Sequence, residues 1–357
     1  MNVVHGTDHT QTPPSSEEVL IQVEHLQKYF PLKKKKIFGP PEVVKAVDDI
    51  SFKIYKGETL GLVGESGCGK STLGRNLLRL QEPTGGKVFL RDVNFTDLSK
   101  KELRSYRKHV QMIYQDPFGS LNPRFTVGQV IGEMLTIHKL ATGDARTKKI
   151  KELLALVGLD PDRIDNYPHE FSGGQRQRIG IARSLALDPE FIVADEPVSA
   201  LDVSVQSQII NLLIRLKKEL GLTLLFIAHG LNVVRHISDR VGVMYLGKLV
   251  ELSGTDDLFD HPAHPYTAVL LSTVPDADPA ARRERIVLKG EVPSPINPPS
   301  GCRFRTRCPL ATEKCAELLP ELEEIRPGHH VACHYPLEEG ESLKERISKN
   351  DKGAVNL

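Results

Sequence analysis

Short apolar runs alternate along the chain with longer amphipathic stretches. Residues 59–63, 110–114, 191–194 and 222–228 form runs with few polar residues, which predict strands buried on both faces. From about residue 204 to residue 220 the apolar residues recur with the period of a helix, and Gly221 is placed to end it. Strands of this kind alternating with helices predict a mostly parallel sheet covered by helices on both faces.

The remaining patterns predict the organisation of the chain. Residues 1–18 are polar and predict a disordered tail without the apolar core of a signal peptide. Residues 20–23 and 43–47 predict a hairpin, and the lysines at 33–36 between them are either a solvated loop or a contact with anionic lipid or a membrane partner. Residues 100–108 and 127–159 favour helices.

Composition narrows the class of protein. The 357 residues are 39% hydrophobic and 26% charged, as in an ordinary globular protein, and the net charge of +1 does not favour nucleic acid as a partner. The longest apolar stretch, at 222–228, is far shorter than the ~20 residues that span a bilayer. We therefore expect a cytoplasmic protein whose membrane role, if any, runs through a partner.

One glycine-rich stretch follows the pattern G-x-x-x-x-G-K-[ST] of a phosphate-binding loop, between a predicted strand and a predicted helix. The eight residues of this phosphate loop are Gly64, Glu65, Ser66, Gly67, Cys68, Gly69, Lys70 and Ser71, and Thr72 follows them. Glycines let backbone N–H groups surround a phosphate at the start of a helix. Lys70 would reach the β- and γ-phosphates, and Ser71 would ligate Mg²⁺.

Two further motifs carry candidate chemistry. The apolar run at 191–194 ends in Asp195, a candidate Mg²⁺ ligand, and Glu196, a candidate base for an attacking water. Paired acids at a strand end are often only a solvated turn, but the phosphate loop upstream favours the functional interpretation. Ser172, Gly173, Gly174 and Gln175 open a predicted helix, where they form either a second phosphate-binding surface or a simple helix cap.

With Phe171 before it, the stretch from Ser172 to Gln175 resembles the LSGGQ signature of ABC ATPases, and the phosphate loop and the strand at 191–196 extend the resemblance over about residues 20–255. It implies an α/β fold, a RecA-like P-loop NTPase core with antiparallel β and α-helical subdomains. It matches Phe30 to the aromatic that stacks on adenine, Gln115 to the Q-loop, where it also contacts Mg²⁺, Asp202 to the D-loop and His229 to the H-loop. Gly230 stands where the family commonly has Asp.

A narrower resemblance concerns residues 114–124, 264–267 and 290–295, which are similar to the ATP-binding subunits of oligopeptide and dipeptide ABC importers, F-type rather than D-type. This resemblance implies two ATPase subunits paired head to tail, so that Ser172 serves the partner's ATP. It also implies two transmembrane permease subunits, an extracytoplasmic solute-binding protein and a place at the cytoplasmic face of the cell membrane. Nickel and glutathione importers share these motifs. The alternatives are a non-transport ABC ATPase and a regulatory subunit with weak turnover.

Four of the five cysteines lie near the end of the chain, at Cys302, Cys308, Cys315 and Cys333. Such a cluster in a cytosolic protein favours metal binding over disulfides, and four thiolates suit a [4Fe–4S] cluster or zinc. The importer resemblance implies [4Fe–4S]; free thiols are the remaining alternative. The interleaved Arg303, Arg305 and Arg307 either balance thiolate charge or lie on a solvated surface.

These patterns divide the chain into a nucleotide-binding domain at 19–270, with a helical subdomain at about 116–180, a proline-rich linker at 271–300, a cysteine-rich segment at 301–340 and a polar tail at 341–357. The phosphate loop then belongs to a different folding unit from the cysteines. We therefore expect ATP binding to survive loss of a metal centre.

Overall fold

A computed structural model of the protein describes residues 18–32, 42–116, 119–273, 286–288 and 290–354. Residues 1–17 of the predicted tail, the lysine run at 33–36 and residues 274–285 and 289 of the predicted linker therefore lie outside the described residues. Within the described ranges, no helix is both long enough and apolar enough to cross a membrane.

The strands form two sheets. In chain order they are β1 Val19–Pro31, β2 Val43–Tyr55, β3 Thr59–Val63, β4 Gly85–Leu90, β5 Val93–Asn94, β6 Val110–Ile113, β7 Phe191–Asp195, β8 Thr223–Ile227, β9 Arg240–Tyr245, β10 Lys248–Gly254, β11 Glu323–Arg326 and β12 His329–Val331. The larger sheet has the order β11-β12-β10-β9-β3-β8-β7-β6, and the smaller one the order β2-β1-β4-β5. From β9 to β6 the larger sheet is parallel, as predicted, and the smaller sheet is antiparallel throughout.

Helices cover the larger sheet. They are α1 Lys70–Leu77, α2 Lys100–Tyr106, α3 Val127–Ile137, α4 Gly143–Leu156, α5 Gly173–Leu185, α6 Val203–Leu220, α7 Leu231–Ile237, α8 Thr255–Asp260, α9 Pro265–Ser272, α10 Glu313–Glu317 and α11 Leu343–Ala354. Gly221 adopts a positive φ of 65° after α6, which confirms its predicted role as the stop of that helix. Helices α3, α4 and α5 all lie between β6 and β7 in the chain.

The central strands are buried on both faces because neighbouring residues enter different cores. Ile192 of β7 and Phe226 of β8 pack in one hydrophobic cluster, whereas Phe191 and Leu225 of the same strands pack in another. This arrangement explains why the runs at 191–194 and 222–228 are apolar at nearly every position. Because β3, β7 and β8 run parallel, their carboxyl ends lie at one edge of the sheet.

The cysteine-rich region, which the sequence predicts as a unit separate from the phosphate-loop domain, extends the larger sheet of that domain. Strand β12 pairs antiparallel with β10, Val331 opposite Glu251. Buried His329 lies between two carboxylates, its Nε2 2.7 Å from Glu251 and its Nδ1 2.5 Å from Asp257. Charge-assisted hydrogen bonds of this kind hold the two regions together. The segment predicted as a polar tail contains α11.

Candidate functional site

The phosphate loop connects the fully buried strand β3 to helix α1. Gly64 and Gly69 have φ values of 149° and 110°, which L side chains rarely adopt. A Cβ atom at Gly64 would lie 2.2 Å from the carbonyl oxygen of Met244, and one at Gly69 would lie 1.9 Å from that of Ala46. The glycines are therefore required by the close packing of the loop against neighbouring backbone.

Lys70 and Ser71 lie at the first turn of α1 and face the loop and the strand edge. The ammonium group of Lys70, a residue only 4% exposed, donates to the carbonyl oxygens of Gly64 at 2.8 Å and Glu65 at 3.1 Å. The Ser71 hydroxyl donates to Oδ1 of buried Asp195 at 2.7 Å. Oδ2 of Asp195 is buried without a hydrogen-bond partner among the described residues, and a guanidinium nitrogen of Arg75 is 3.7 Å away. A hydroxyl beside an unpartnered carboxylate oxygen fits a Mg²⁺ ion.

The three candidate catalytic side chains meet at the end of β7. Oε2 of Glu196 accepts a hydrogen bond from Nε2 of Gln115 at 2.8 Å, and its Oε1 lies 2.6 Å from Nε2 of His229. An ionised carboxylate only accepts hydrogen bonds, so the His229 proton in this contact is on Nε2. Glu196 itself has a positive φ of 47°, a strained conformation for a residue that is not glycine. The structure thus brings together three residues that are 81 and 33 positions apart in the chain.

The other residues predicted to contact the nucleotide differ in how far they are exposed. Ser66 and Gly67 are exposed at the crest of the loop, and Thr72 is half-buried on α1. The Cys68 thiol is buried, and burial raises its pKa, so only the backbone of this residue can serve a phosphate. Phe30 is half-buried near the end of β1, with the Lys28 ammonium 5.0 Å from the centre of its ring.

The signature residues lie on a different surface. Ser172 is exposed and caps α5, its hydroxyl accepting from the Gln175 amide at 3.3 Å while the Gln175 side chain accepts from the Ser172 amide at 3.0 Å. A Cβ on Gly174 would lie 2.5 Å from Val205 of α6, the helix that starts after exposed Asp202, and Gly173 adjoins Leu201 in the same way. The signature and the D-loop position therefore form one surface that is open to solvent.

All four C-terminal cysteines line one small cavity, with Phe304, Arg305, His264 and Tyr335 among its other walls. Burial raises the pKa of the Cys302 thiol, and it raises the pKa of the Cys308 and Cys333 thiols to about 12. The Tyr335 amide donates to the sulfur of Cys333 at 3.4 Å. Across the described ranges, no three His, Cys, Asp or Glu side chains lie close enough together to hold a metal ion.

Sequence reasoning missed the contacts that join the cysteine-rich region to the phosphate loop. Arg307 pairs with Glu65, and Arg303 pairs with Asp48. The interleaved arginines were expected to balance thiolates or face solvent, but these two bind carboxylates of the nucleotide-binding region instead. Gly230, which stands where the family commonly has Asp, immediately precedes α7. A Cβ atom at Gly230 would have room, because its nearest neighbour would be Val233 at 3.9 Å.

Comparison with known proteins covers nearly the whole chain. Residues 47–199 match the family model described as ABC transporter, and residues 250–315 match the model described as oligopeptide/dipeptide transporter, C-terminal region. The oligopeptide transport ATP-binding protein AppF of Bacillus subtilis is 56% identical over 90% of this chain and 98% of its own. The putative oligopeptide transport ATP-binding protein YkfD of the same organism is 57% identical over 92% and 98%.

Solved structures match about two thirds of the chain. The dimeric structure of a post-hydrolysis state of the ATP-binding cassette MJ0796, bound to ADP and Pi, covers 66% of this chain and 98% of its own at 28% identity, with a TM-score of 0.59. CbiO1 from Clostridium perfringens, part of the ABC transporter complex cbiONQ, covers 69% and 92% at 26% identity with the same TM-score.

Proposed function

The chain belongs to the ABC transporter family, among its peptide-import ATP-binding proteins, and we propose that it hydrolyses ATP to drive the uptake of di- or oligopeptides. The observation that carries the proposal is the contact of Gln115 and His229 with Glu196, next to the hydrogen bond between Ser71 and Asp195. These contacts support the assignment of a base, its orienting groups and a cation site to one edge of the sheet.

Binding of the nucleotide is assigned to the phosphate loop. The backbone N–H groups of residues 64–71, at the amino end of α1, would hold the phosphates, and Lys70 would exchange its loop carbonyl contacts for phosphate oxygens. Ser71 and Asp195 would hold Mg²⁺, with Gln115 near it, and the ion when bound neutralises phosphate charge. Phe30 would stack on the adenine ring.

Hydrolysis is assigned to Glu196. Its carboxylate accepts from Gln115 on one oxygen and lies against Nε2 of His229 with the other, which orients the group and leaves lone pairs for a proton of the attacking water. Gln115 and His229 thus orient the base, and His229 also brings a proton donor to where phosphate charge develops. The alternative of a regulatory subunit with weak turnover rests on Gly230; the contact of His229 with Glu196, made without an acidic residue at position 230, supports full turnover instead.

A second ATPase subunit completes the site. The partner's nucleotide, on a chain that we propose is a D-type paralogue, would bind to exposed Ser172 and Asp202 and half-buried Gly173, Gly174 and Gln175. The likeness to a dimeric cassette bound to ADP and Pi supports this head-to-tail arrangement. Two permease subunits and an extracytoplasmic binding protein would complete an importer, with this chain at the cytoplasmic face of the cell membrane.

We propose a [4Fe–4S] cluster for the four C-terminal cysteines, with zinc as the alternative. The shared cavity and the amide that donates to the Cys333 sulfur support it, since such hydrogen bonds surround cluster sulfurs. One zinc ion would hold all four sulfurs at about 2.3 Å from a single point. Among the described residues no such group is close enough to hold a metal ion, so the choice between cluster and zinc rests on elemental analysis. Iron and labile sulfide analysis of anaerobically purified protein should give about four irons per chain; stoichiometric zinc would contradict the cluster.

Activity of the assembled transporter tests the main proposal. The complex purified with its native partners should hydrolyse ATP faster when the binding protein carries a peptide than when it is empty. Nickel or glutathione importers would respond to those solutes instead, and a non-transport ATPase would purify without permeases. Peptide-independent turnover, or no turnover in a complete complex, would contradict the proposal.

A further inference from the structure

The stretch of five residues between Cys302 and Cys308 packs in part against the nucleotide site. Three of them, Arg303, Phe304 and Arg307, direct buried side chains toward residues of the phosphate loop and the elements that carry it. Arg305, in the same stretch, turns away and donates to the Ser300 carbonyl oxygen at 2.9 Å. The stretch from 303 to 307, which we call the arginine segment, is therefore an internal interface.

Arg307 makes the most direct contact. One of its guanidinium nitrogens lies 2.9 Å and 3.1 Å from the two carboxylate oxygens of Glu65, and 3.4 Å from the Tyr245 hydroxyl. The Arg307 side chain is 9% exposed and that of Glu65 is 27% exposed, so solvent screens the pair only in part. Glu65 is the second residue of the phosphate loop, where an uncompensated carboxylate would repel the charge of a triphosphate.

Phe304 and its neighbours hold the backbone of the same residue. The Phe304 ring packs against Tyr245 and Tyr266, each with a centroid distance of 5.3 Å. The Tyr266 hydroxyl in turn accepts a hydrogen bond from the Glu65 amide at 2.9 Å. Both the side chain and the amide of Glu65 are therefore fixed by groups that belong to the arginine segment or pack on it.

Arg303 reaches the other side of the site. Its guanidinium donates to the Leu246 carbonyl oxygen and to the Asp48 carboxylate, which also accepts from the Tyr29 hydroxyl. Tyr29 precedes Phe30, the residue assigned to the adenine ring. The arginine segment thus touches both the phosphate side and the adenine side of the proposed nucleotide site.

We propose that Arg307 is a positioning residue for ATP binding, which neutralises and orients Glu65, and that the two flanking cysteines set its place. The inference rests on the proposed role of residues 64–71 in ATP binding. A metal centre bound by Cys302 and Cys308 would fix both ends of the arginine segment, so its loss would move Arg307 and weaken ATP binding. This reverses the expectation from the sequence that ATP binding is independent of the cysteines.

Titration of a fluorescent ATP analogue with Mg²⁺ into the full chain tests this proposal. Arg307→Met should raise the Kd about tenfold, the effect of removing one partner of a charge-assisted hydrogen bond. Adding Glu65→Gln to that variant removes the uncompensated charge and should restore the Kd to within about threefold of the wild type. Arg215→Met is the matched control, since it removes one guanidinium from an Arg–Glu pair, that with Glu219 at 3.1 Å on α6, and it should bind as the wild type does.

Two further readouts separate positioning from a general loss of structure. Arg307→Met should keep the metal content and the near-ultraviolet circular dichroism of the wild type, and in the assembled complex it should raise KM while leaving kcat unchanged. Cys308→Ser should also raise the Kd, and combining it with Arg307→Met should add little.

Several outcomes of these measurements would overturn the proposed role of Arg307. A wild-type Kd in Arg307→Met would overturn the proposal, as would a double variant with Glu65→Gln that stays weak, because the effect would then not come from charge. An equal loss in Arg215→Met would also overturn it. A wild-type chain that binds no ATP would overturn the proposed function and this inference together.

Discussion

Replacing Glu196 with Gln tests the assignment of the catalytic base. The carboxylate accepts a hydrogen bond from Gln115 at 2.8 Å on one oxygen, and Nε2 of His229 lies 2.6 Å from the other. The amide of Gln has one accepting oxygen and one donating nitrogen, so one of these contacts must change, and His229 can accept if its proton moves to Nδ1. The variant therefore keeps the local packing but cannot take a proton from water.

The expected decrease in kcat follows from the loss of general base catalysis. Such a group accelerates reactions by about 10² to 10⁴, or about 3 to 5 kcal/mol of barrier, and we expect that loss in kcat. The Kd for ATP should change by less than about threefold, since the phosphates bind to the loop and to Lys70. Phosphate release and ATP binding are measured on the assembled complex.

Glu219→Gln is the control for this prediction. Glu219 is exposed on α6 and pairs with Arg215 at 3.1 Å, so the same substitution there should leave the rate unchanged. A Glu196→Gln complex that releases phosphate within about threefold of the wild-type rate would refute the assignment of the base.

Three other variants test other parts of the account. Ser172→Ala should leave ATP binding to the isolated chain unchanged and slow hydrolysis only in the dimer; weaker binding in the isolated chain would contradict a role across the interface. Gly69→Ala should abolish ATP binding, because its Cβ would lie 1.9 Å from the Ala46 carbonyl oxygen at a φ of 110°, and normal binding would contradict the packing of the loop. Gly230→Asp should raise the free energy of unfolding by a few tenths of a kcal/mol through capping of α7, measured by urea unfolding; a decrease would show that the site does not accept a carboxylate.

Local patterns predicted the nucleotide-binding core well. The apolar runs at 191–194 and 222–228 became β7 and β8, because strands covered on both faces need apolar residues throughout. Glu196 and His229 follow the carboxyl ends of these strands, which explains why their proximity could be expected. The end of α6 at Gly221 depends on a single residue type, so it could also be predicted from the sequence.

Long-range contacts could not be predicted from local sequence patterns. Arg307 and Glu65 are 242 positions apart, and nothing near either residue indicates the other. Strand β11 was also missed, because its residues Glu323 to Arg326 are mostly charged and exposed, without alternation of apolar and polar positions. This strand forms because β12 pairs with β10 and offers it an edge, a consequence of tertiary structure rather than of local preference.

Uptake of a labelled oligopeptide into sealed vesicles tests the central claim most directly. The vesicles carry the complete complex with ATP on the side of this chain and the binding protein on the other. The account predicts accumulation of peptide that requires ATP and that stops when Glu196→Gln replaces the wild-type chain. A complex that hydrolyses ATP while accumulating no peptide, or that accumulates peptide equally with Glu196→Gln, would contradict the account.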